Sequence, residues 1–351
     1  MNAPNSICLL RLSALGDVCH CIATVRAIQR RYPEARLTWI VGKGEYRLVR
    51  DLPGVKFIAL DKRGGLRKLL RLRRQLAGRR FDVLLHAQVS LRANLIASLV
   101  RADRRIGFDR ARAREGHGLV INERIPAAPF QHQAEALLSF AEILGADTEG
   151  INPAPPMREE DRQFAREHQP EPGRAVLISP CSSHAARNWS VAGYAEVADW
   201  VIEETGRPVI LIGGPSESER RMGEAIEAAM RRESVNLIGR DTLGQSLAML
   251  ERAACLIAPD SGPVHFAAAL GTPVVGLYAS TWSHRSGPLG SLEHCVDRFP
   301  GACRKYLGRE PEDVKWGKRI EKPSVMDLVE REAVIERLGV ILPRFEPEIG
   351  K

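Results

Sequence analysis

Aromatic residues and long apolar runs are both scarce in this chain. Phe, Trp and Tyr together make up 5% of the sequence. No uncharged apolar stretch reaches the roughly 18 residues that a membrane-spanning helix needs. Residues 1–6 also lack the basic and apolar regions of a secretory signal. These absences argue against a transmembrane or exported protein, so we expect a cytoplasmic one.

Two nucleotide-binding fingerprints are missing as well. Neither G-x-G-x-x-G nor a P-loop occurs, which argues against a nucleotide-dependent oxidoreductase.

The seven cysteines are odd in number and scattered, which indicates reduced thiols rather than a disulfide framework. Cys19 and Cys21 flank His20, but this spacing does not suit a zinc site and no partner pair follows. We therefore expect no metal.

Positive charge is concentrated in the first half of the chain. Residues 1–170 hold 29 Lys and Arg against 18 Asp and Glu, whereas residues 171–351 hold 22 against 25. Residues 62–80 contain nine basic residues, no acidic one, and leucines at helical spacing. A basic amphipathic helix suits an anionic membrane surface, and a solvated helix packed by its leucines is the alternative. Scarce aromatics and the lack of a recognised motif argue against a nucleic-acid partner.

Strand and helix signals alternate along the chain and restart once, which predicts an α/β protein with two parallel sheets. The proline-rich stretch 150–173 separates the two series and is the expected linker. The expected domains are residues 1–160 and 173–323, followed by a C-terminal helix and tail over 324–351. Predicted strands lie at 6–12, 37–41, 56–60, 81–86, 104–108, 118–122, 175–179, 208–212, 235–238, 255–258 and 273–278. Predicted helices lie at 18–31, 43–50, 65–77, 90–101, 131–145, 158–168, 190–205, 216–231, 244–253, 263–270 and 324–339.

The first strand runs into a polar turn, residues 11–17, with the sequence R-L-S-A-L-G-D. This N-terminal turn ends on Asp17, at the carboxyl end of a strand, where ligands bind in open α/β sheets. Asp is also a common helix N-cap, so a capping role is the alternative for Asp17.

A second apolar strand, 255–258, runs into the sequence P-D-S-G-P and then a helix. In this DSGP turn, residues 260–263, Pro263 suits the first helical turn because its missing N–H does no harm there. Free N–H groups and the macrodipole make such a helix start a phosphate site. His265 follows within the first turn. A buried βα unit with a polar cap is the alternative interpretation.

The segments R-L-S-A-L-G-D-V and A-P-D-S-G-P-V-H-F-A-A-A-L-G-T-P-V-V-G-L-Y resemble the heptosyltransferases of lipopolysaccharide core synthesis, glycosyltransferase family 9. The resemblance extends from about residue 6 to about residue 340 and is closest to the heptosyltransferase I type. It implies a GT-B fold, with two Rossmann-like parallel-sheet domains facing a central cleft and the last helix crossing back to the N-terminal domain. It also implies inverting, metal-independent transfer of L-glycero-D-manno-heptose from ADP-heptose to Kdo–lipid A, with no cofactor. The enzyme would act at the cytoplasmic face of the inner membrane, held peripherally by anionic lipid.

The resemblance also assigns roles to residues. Asp17 matches the family's essential aspartate and is the expected general base. Arg187 stands where family members typically carry Lys, and is expected to neutralise the leaving diphosphate as a planar fork rather than a point charge. The expected donor-binding residues are Ser182, Ser183, Glu217, Asp260, Ser261, Gly262 and His265.

The remaining assignments concern the turn after the strand 208–212, Trp189 and the acceptor contacts. Glu217 is expected to hold ribose hydroxyls, but a cap formed by Ser216 and Glu219 is an equally good interpretation of that turn. Trp189 is expected to pack in the core. The expected acceptor contacts are Ser13, Gly16, Arg63, Arg105 and His132, with Arg67 and Arg110 as further partners for acceptor anions.

Two other functions are the alternatives. A related transferase could use a later core heptose position or another nucleotide sugar. A non-catalytic nucleotide-sugar binder is a different class. A base at Asp17 together with a phosphate clamp at Arg187 argues against it, because a binder needs no base.

Overall fold

The computed structural model describes residues 3–61 and 66–342, with the side chains of 66–68 left out of the description. The chain divides into two compact units, Met1–Pro156 and Met157–Lys351. The division falls inside the expected linker 150–173. It comes before helix 158–168, so that helix belongs to the second unit rather than to the linker, and the first domain ends before residue 160.

The first unit is a six-stranded, all-parallel sheet flanked by helices. Its strands are β1 (Ser6–Leu10), β2 (Arg36–Gly42), β3 (Val55–Leu60), β4 (Phe81–His86), β5 (Ala102–Gly107) and β6 (Glu123–Arg124). Its helices are α1 (Leu15–Arg31), α2 (Tyr46–Val49), α3 (Leu66–Leu76), α4 (Leu91–Leu99) and α5 (Gln133–Glu142). The strand order is β3-β2-β1-β4-β5-β6, the order of a Rossmann domain.

The second unit repeats that architecture. Its strands are β7 (Val176–Ile178), β8 (Val209–Leu211), β9 (Val235–Asn236), β10 (Cys255–Pro259), β11 (Val274–Tyr278) and β12 (Val296–Asp297). Its helices are α6 (Glu159–His168), α7 (Val191–Thr205), α8 (Glu217–Ala229), α9 (Leu243–Arg252), α10 (Gly262–Leu270), α11 (Ser283–Ser286), α12 (Phe299–Leu307) and α13 (Arg331–Ile341). The order β12-β11-β10-β7-β8-β9 is the same Rossmann order. The predicted α/β class with two Rossmann-like domains is confirmed.

Burial explains why the central strands read as continuous apolar runs rather than alternating ones. Every residue of β1, β10 and β11 is buried, because helices cover both faces of each parallel sheet. All seven cysteines are free, and six of them are buried. Burial raises the pKa of Cys19 and Cys21 to about 12, so both thiols stay protonated at neutral pH.

Three predicted elements differ from the structure. Helix α1 begins at Leu15 rather than residue 18, so Asp17 lies inside the helix. The predicted strand 118–122 is a 3-10 helix, His117–Leu119, and the short edge strand β6 follows it. The predicted helix 324–339 is a 3-10 helix, Val325–Leu328, followed by α13.

The return of the C-terminal helix to the first domain stays a prediction, and what the structure describes is the packing of α13 within the second unit. Val334 and Leu338 of α13 are buried in the apolar core of the second unit, together with Leu342. α13 packs on α7, on the edge strand β12 and on its neighbour β11. Residues 343–351 lie outside the described part of the chain. No described helix is long and apolar enough to cross a membrane.

Candidate functional site

The N-terminal turn is tied to the neighbouring strand by three hydrogen bonds. Arg11 Nη1 donates to the Ala87 carbonyl at 2.5 Å, and the Leu12 N–H donates to Gln88 Oε1 at 2.7 Å. Gln88 Nε2 in turn donates to Ser13 Oγ at 3.3 Å. Ala87 and Gln88 directly follow β4, so the turn lies where the strand order reverses between β1 and β4. That reversal point is the usual ligand crevice of an open α/β sheet.

Asp17 is the third residue of α1, and its carboxylate is oriented from two sides. Oδ2 accepts the Ala14 N–H at 3.2 Å and forms an ion pair with Arg11 Nη2. The side chain of Arg11 is buried, whereas that of Asp17 keeps 24% of its surface exposed. Asp17 is therefore not the N-cap residue, which is Ala14, but its carboxylate accepts the N-cap N–H from the third helical position and stays partly exposed. Sequence reasoning missed Arg11. The available signal was a basic residue directly after an apolar strand.

A buried histidine pair supports the β4 side of this turn. His86, the last residue of β4, and His117 are both fully buried with their rings 4.5 Å apart. The Phe108 N–H donates to His117 Nε2 at 3.0 Å, so the proton of His117 lies on Nδ1, which reaches Asn94 Oδ1 at 3.2 Å. His86 Nε2 donates to the same oxygen at 2.8 Å. Burial lowers the pKa of His86 to about 3 and that of His117 to about 4, so both are neutral at pH 7.

The DSGP turn occupies the equivalent position in the second domain. Ser261 is the N-cap residue of α10, with extended backbone, and Pro263 lies in the first helical turn. Within the described residues Ser261 Oγ is buried and has no hydrogen-bond partner. The helix start thus offers an unused hydroxyl beside backbone N–H groups that the helix itself cannot satisfy. His265 lies one turn into α10 and is partly exposed.

Arg187 and Asp260 form a largely buried ion pair next to this helix start. Arg187 Nη1 lies 3.1 Å from Asp260 Oδ2, with 11% and 8% of the two side chains exposed. Arg187 Nη1 also donates to the Asp260 carbonyl at 3.2 Å, and Ser182 Oγ donates to the same carbonyl at 2.9 Å. Burial lowers the pKa of the Arg187 guanidinium, and the Asp260 carboxylate opposes that shift. The loop after β7 is therefore fastened to the end of β10, again where the strand order reverses.

The structure adds a second cation that sequence reasoning missed, Arg319. Arg319 Nη1 lies 3.3 Å from Nε2 of His184, in the same loop as Ser182 and Arg187. Burial and then the two neighbouring guanidiniums lower the pKa of His184, so its ring is neutral at pH 7 and Nε2 accepts from Arg319. Arg319 is far from this loop in sequence, so no local pattern pointed to it. Ser183, expected to bind the donor, is exposed in this loop.

In the turn after β8, the acidic side chain that contacts the turn is that of Glu219. The Glu217 carboxylate pairs with Arg221 on the exposed face of α8. The Glu219 carboxylate accepts the Gly214 N–H at 2.5 Å and the Ser216 hydroxyl at 3.0 Å. Ser216 Oγ accepts the Glu219 N–H at 3.3 Å, which confirms Ser216 as the N-cap. Glu219 is the acidic group that lines this turn.

The structure gives two of the expected acceptor contacts a different role. Arg105 donates to the carbonyls of Ala97, Val100 and Val120, so its guanidinium holds backbone rather than facing a ligand. His132 is buried as the N-cap of α5, and its Nδ1 accepts the Ala134 N–H at 3.2 Å.

The other expected acceptor contacts and Trp189 have these positions. Ser13 lies in the N-terminal turn, Gly16 is buried in the first turn of α1, and Arg110 is exposed. Arg63 and the side chain of Arg67 lie outside the described residues. Trp189 is buried and donates from Nε1 to the Val329 carbonyl at 2.9 Å, as its expected core role requires.

Solved structures with a similar fold include glycosyltransferases. The chain matches a glycosyltransferase family 9 protein from Veillonella parvula with a TM-score of 0.77, at 20% identity over 96% of this chain and 97% of that one. It matches the Escherichia coli heptosyltransferase WaaC with ADP-2-deoxy-2-fluoro heptose with a TM-score of 0.64, at 17% identity over 82% and 97%. These likenesses define the fold as GT-B.

Sequence comparison identifies the family. The model for glycosyltransferase family 9 (heptosyltransferase) matches residues 69–312. The lipopolysaccharide core heptosyltransferase OpsX of Haemophilus influenzae is 35% identical over 336 residues, covering 96% of both chains. The chain therefore belongs to glycosyltransferase family 9, and it is a lipopolysaccharide heptosyltransferase.

Proposed function

We propose that the enzyme transfers L-glycero-D-manno-heptose from ADP-heptose to the Kdo–lipid A inner core of lipopolysaccharide, with inversion at the anomeric carbon. The observation that carries the proposal is the DSGP turn. It combines the start of α10, a Ser261 hydroxyl without a hydrogen-bond partner among the described residues, and the Arg187 guanidinium paired with Asp260. This combination suits a nucleoside diphosphate. The ligand named for the E. coli neighbour, ADP-2-deoxy-2-fluoro heptose, supports ADP-heptose as the donor.

Asp17 would act as the general base. Its Oδ2 is held by Arg11 and Ala14, and Oδ1 accepts no hydrogen bond from another described residue. The acceptor hydroxyl would pass its proton to Oδ1 as its oxygen forms a bond to the anomeric carbon. The bond from that carbon to the diphosphate oxygen breaks in the same step, and ADP leaves with the electron pair.

The leaving ADP gains negative charge, which the second domain would stabilise. Arg187 and the N–H groups at the start of α10 would face the diphosphate, with Ser261 donating its hydroxyl. Asp260 keeps Arg187 in place, and Ser182 fixes the loop through the Asp260 carbonyl. Because fixed cations and dipoles supply this stabilisation, we propose that no divalent metal is needed. Full activity in EDTA would support this, and activity lost in EDTA but restored by a metal would contradict it.

We also propose that the enzyme works as a peripheral protein at the cytoplasmic face of the inner membrane. Its acceptor is a lipid, and the basic helix α3 would be attracted to anionic headgroups. Binding to vesicles that fades as salt rises would support this placement.

The decisive experiment is transfer to purified Kdo–lipid A, with ADP-heptose, UDP-sugars and GDP-sugars offered as separate donors. Mass spectrometry should detect a product one heptose heavier from ADP-heptose alone. The anomeric configuration of the product, read by NMR, checks inversion. No transfer to Kdo–lipid A, with transfer to a core that already carries heptose, would assign the enzyme to a later core position.

A further inference from the structure

Large apolar side chains are exposed together on one part of the first domain. Leu91 and Leu95 on α4 are 61% and 51% exposed, Leu119 in the 3-10 helix is 90% exposed, and Leu70 on α3 is 46% exposed. The neighbours of these leucines along the chain, such as Ala93, Ile96 and Leu72, are buried in the core. The four leucines therefore point away from a core that is already filled.

Hydrogen bonds bring the 3-10 helix alongside α4. At the start of α4, the Leu91 N–H donates to Glu115 Oε2 at 2.5 Å and Asn94 Nδ2 donates to the Glu115 carbonyl at 2.6 Å. At its end, Arg105 bridges the carbonyls of Ala97 and Val120 at 2.7 and 2.8 Å. Residues 115–120 thus run along α4, which places Leu119 on the same surface as Leu91 and Leu95.

The basic helix α3 packs against α4. Leu69 of α3 and Leu99 of α4 both pack against the same core cluster. The exposed side of α3 carries Arg71, Arg73 and Arg74, none of which forms an ion pair with a described residue. The sequence from 62 to 81 contains no acidic residue. Exposed leucines on α4 therefore lie near exposed guanidiniums on α3 that pair with no acidic side chain among the described residues.

Exposed apolar side chains grouped in this way mark an interaction surface. We infer that this leucine surface, formed by Leu91, Leu95 and Leu119, enters the headgroup and acyl boundary of an anionic lipid bilayer while α3 binds the headgroups. Apolar insertion combined with basic attraction is the pattern of an interfacial membrane contact. A second copy of the chain fits less well, because a two-fold contact would bring the two basic α3 helices together.

The inference deepens the proposed function, since it rests on an acceptor that is a membrane lipid. Its test is sedimentation with vesicles of phosphatidylcholine alone and with phosphatidylglycerol added, at low and high salt. The double variant Leu91→Ser/Leu95→Ser and the single variant Leu119→Ser should each fold normally, because these side chains are exposed. Their affinity for anionic vesicles should fall roughly tenfold or more, since buried methylene groups are lost. Arg71→Gln/Arg73→Gln should weaken the same binding and reduce its dependence on salt.

Val340→Ser is the matched control, because Val340 is 66% exposed on α13 of the second domain. Its vesicle binding should equal that of the wild type. Unchanged binding in the leucine variants, or equal wild-type binding to neutral vesicles, would overturn the inference. A dimer seen by sedimentation velocity that the leucine variants abolish, without any change in vesicle binding, would assign the surface to a second copy instead.

A soluble acceptor separates this inference from the proposed function. The leucine variants should transfer heptose to deacylated, vesicle-free acceptor at the wild-type rate and lose rate only on acceptor embedded in vesicles. Equal losses on both acceptors would contradict a membrane role. Wild-type protein that binds anionic vesicles but transfers to neither acceptor would refute the proposed function and leave this surface standing.

Discussion

Replacing Arg187 with Gln would leave the Asp260 carboxylate in the second domain without its cation. At the observed 3.1 Å separation, two unit charges in an effective dielectric of about 20 attract by about 5 kcal/mol. The desolvation of both groups offsets much of that attraction in the intact pair. Removing one partner strands the other, which costs about 3–5 kcal/mol. For a domain of this size, we expect the Tm to fall by roughly 6–20 °C.

The same change should weaken donor binding, and the two effects can be measured separately. Calorimetric scans with and without saturating ADP give the stability of each variant and its stabilisation by ligand. A ligand at about 100 times its Kd stabilises the folded state by about 2.7 kcal/mol. We expect the wild type to gain this increment and Arg187→Gln to gain much less at the same ADP concentration.

Arg221→Gln is the control, because Arg221 forms an exposed pair with Glu217 on α8. Exposed pairs contribute about 0–1 kcal/mol, so its Tm should hardly move. The double variant Arg187→Gln/Asp260→Asn should be destabilised by less than the sum of its two single variants. A small Arg187→Gln effect equal to that of Arg221→Gln, or strict additivity in the double variant, would refute the account of the buried pair.

Three further predictions concern the other groups. Asp17→Asn should lower turnover by about 10²–10⁴-fold with ADP affinity unchanged, measured by initial rates and calorimetric titration; near-normal turnover would remove Asp17 as the base. Glu219→Gln should weaken ADP binding while Glu217→Gln does not, because the Glu219 carboxylate accepts the Gly214 N–H in the turn after β8 and Glu217 pairs with Arg221 instead; the reverse order would favour Glu217 as the donor-binding residue. His86 and His117 titrate in the folded state at about 3 and about 4, below the unfolded value, so their contribution is complete above about pH 6.5 and is lost as pH falls. Between pH 7 and pH 5 the free energy of unfolding should drop by up to about 2 kcal/mol for each histidine, measured by urea titration, and His86→Gln should reduce that drop.

Local sequence patterns were enough to predict most of the fold. The apolar strands before both turns, the alternation of strand and helix, and the proline-rich linker each follow from short-range preferences that the sequence displays directly. The helix start at Leu15 was missed because its N-cap residue, Ala14, is not a capping type. The strand predicted at 118–122 failed because hydrogen bonds from Asn94 and Arg105, far away in sequence, fix residues 115–120 against α4.

By itself, the sequence determined the two Rossmann-like domains, the family, and the two turns that hold Asp17 and the DSGP motif. Each of these features is a short segment whose residue types favour one local structure. Only the tertiary structure decided which side chains face each other: Arg11 with Asp17, Arg187 with Asp260, and Arg319 with His184. It also turned Arg105 and His132 into structural groups and joined the exposed leucines of α4 and the 3-10 helix into one surface. The last two pairings depend on strand order and helix packing, which bring residues that are distant in sequence together without a local sequence signal.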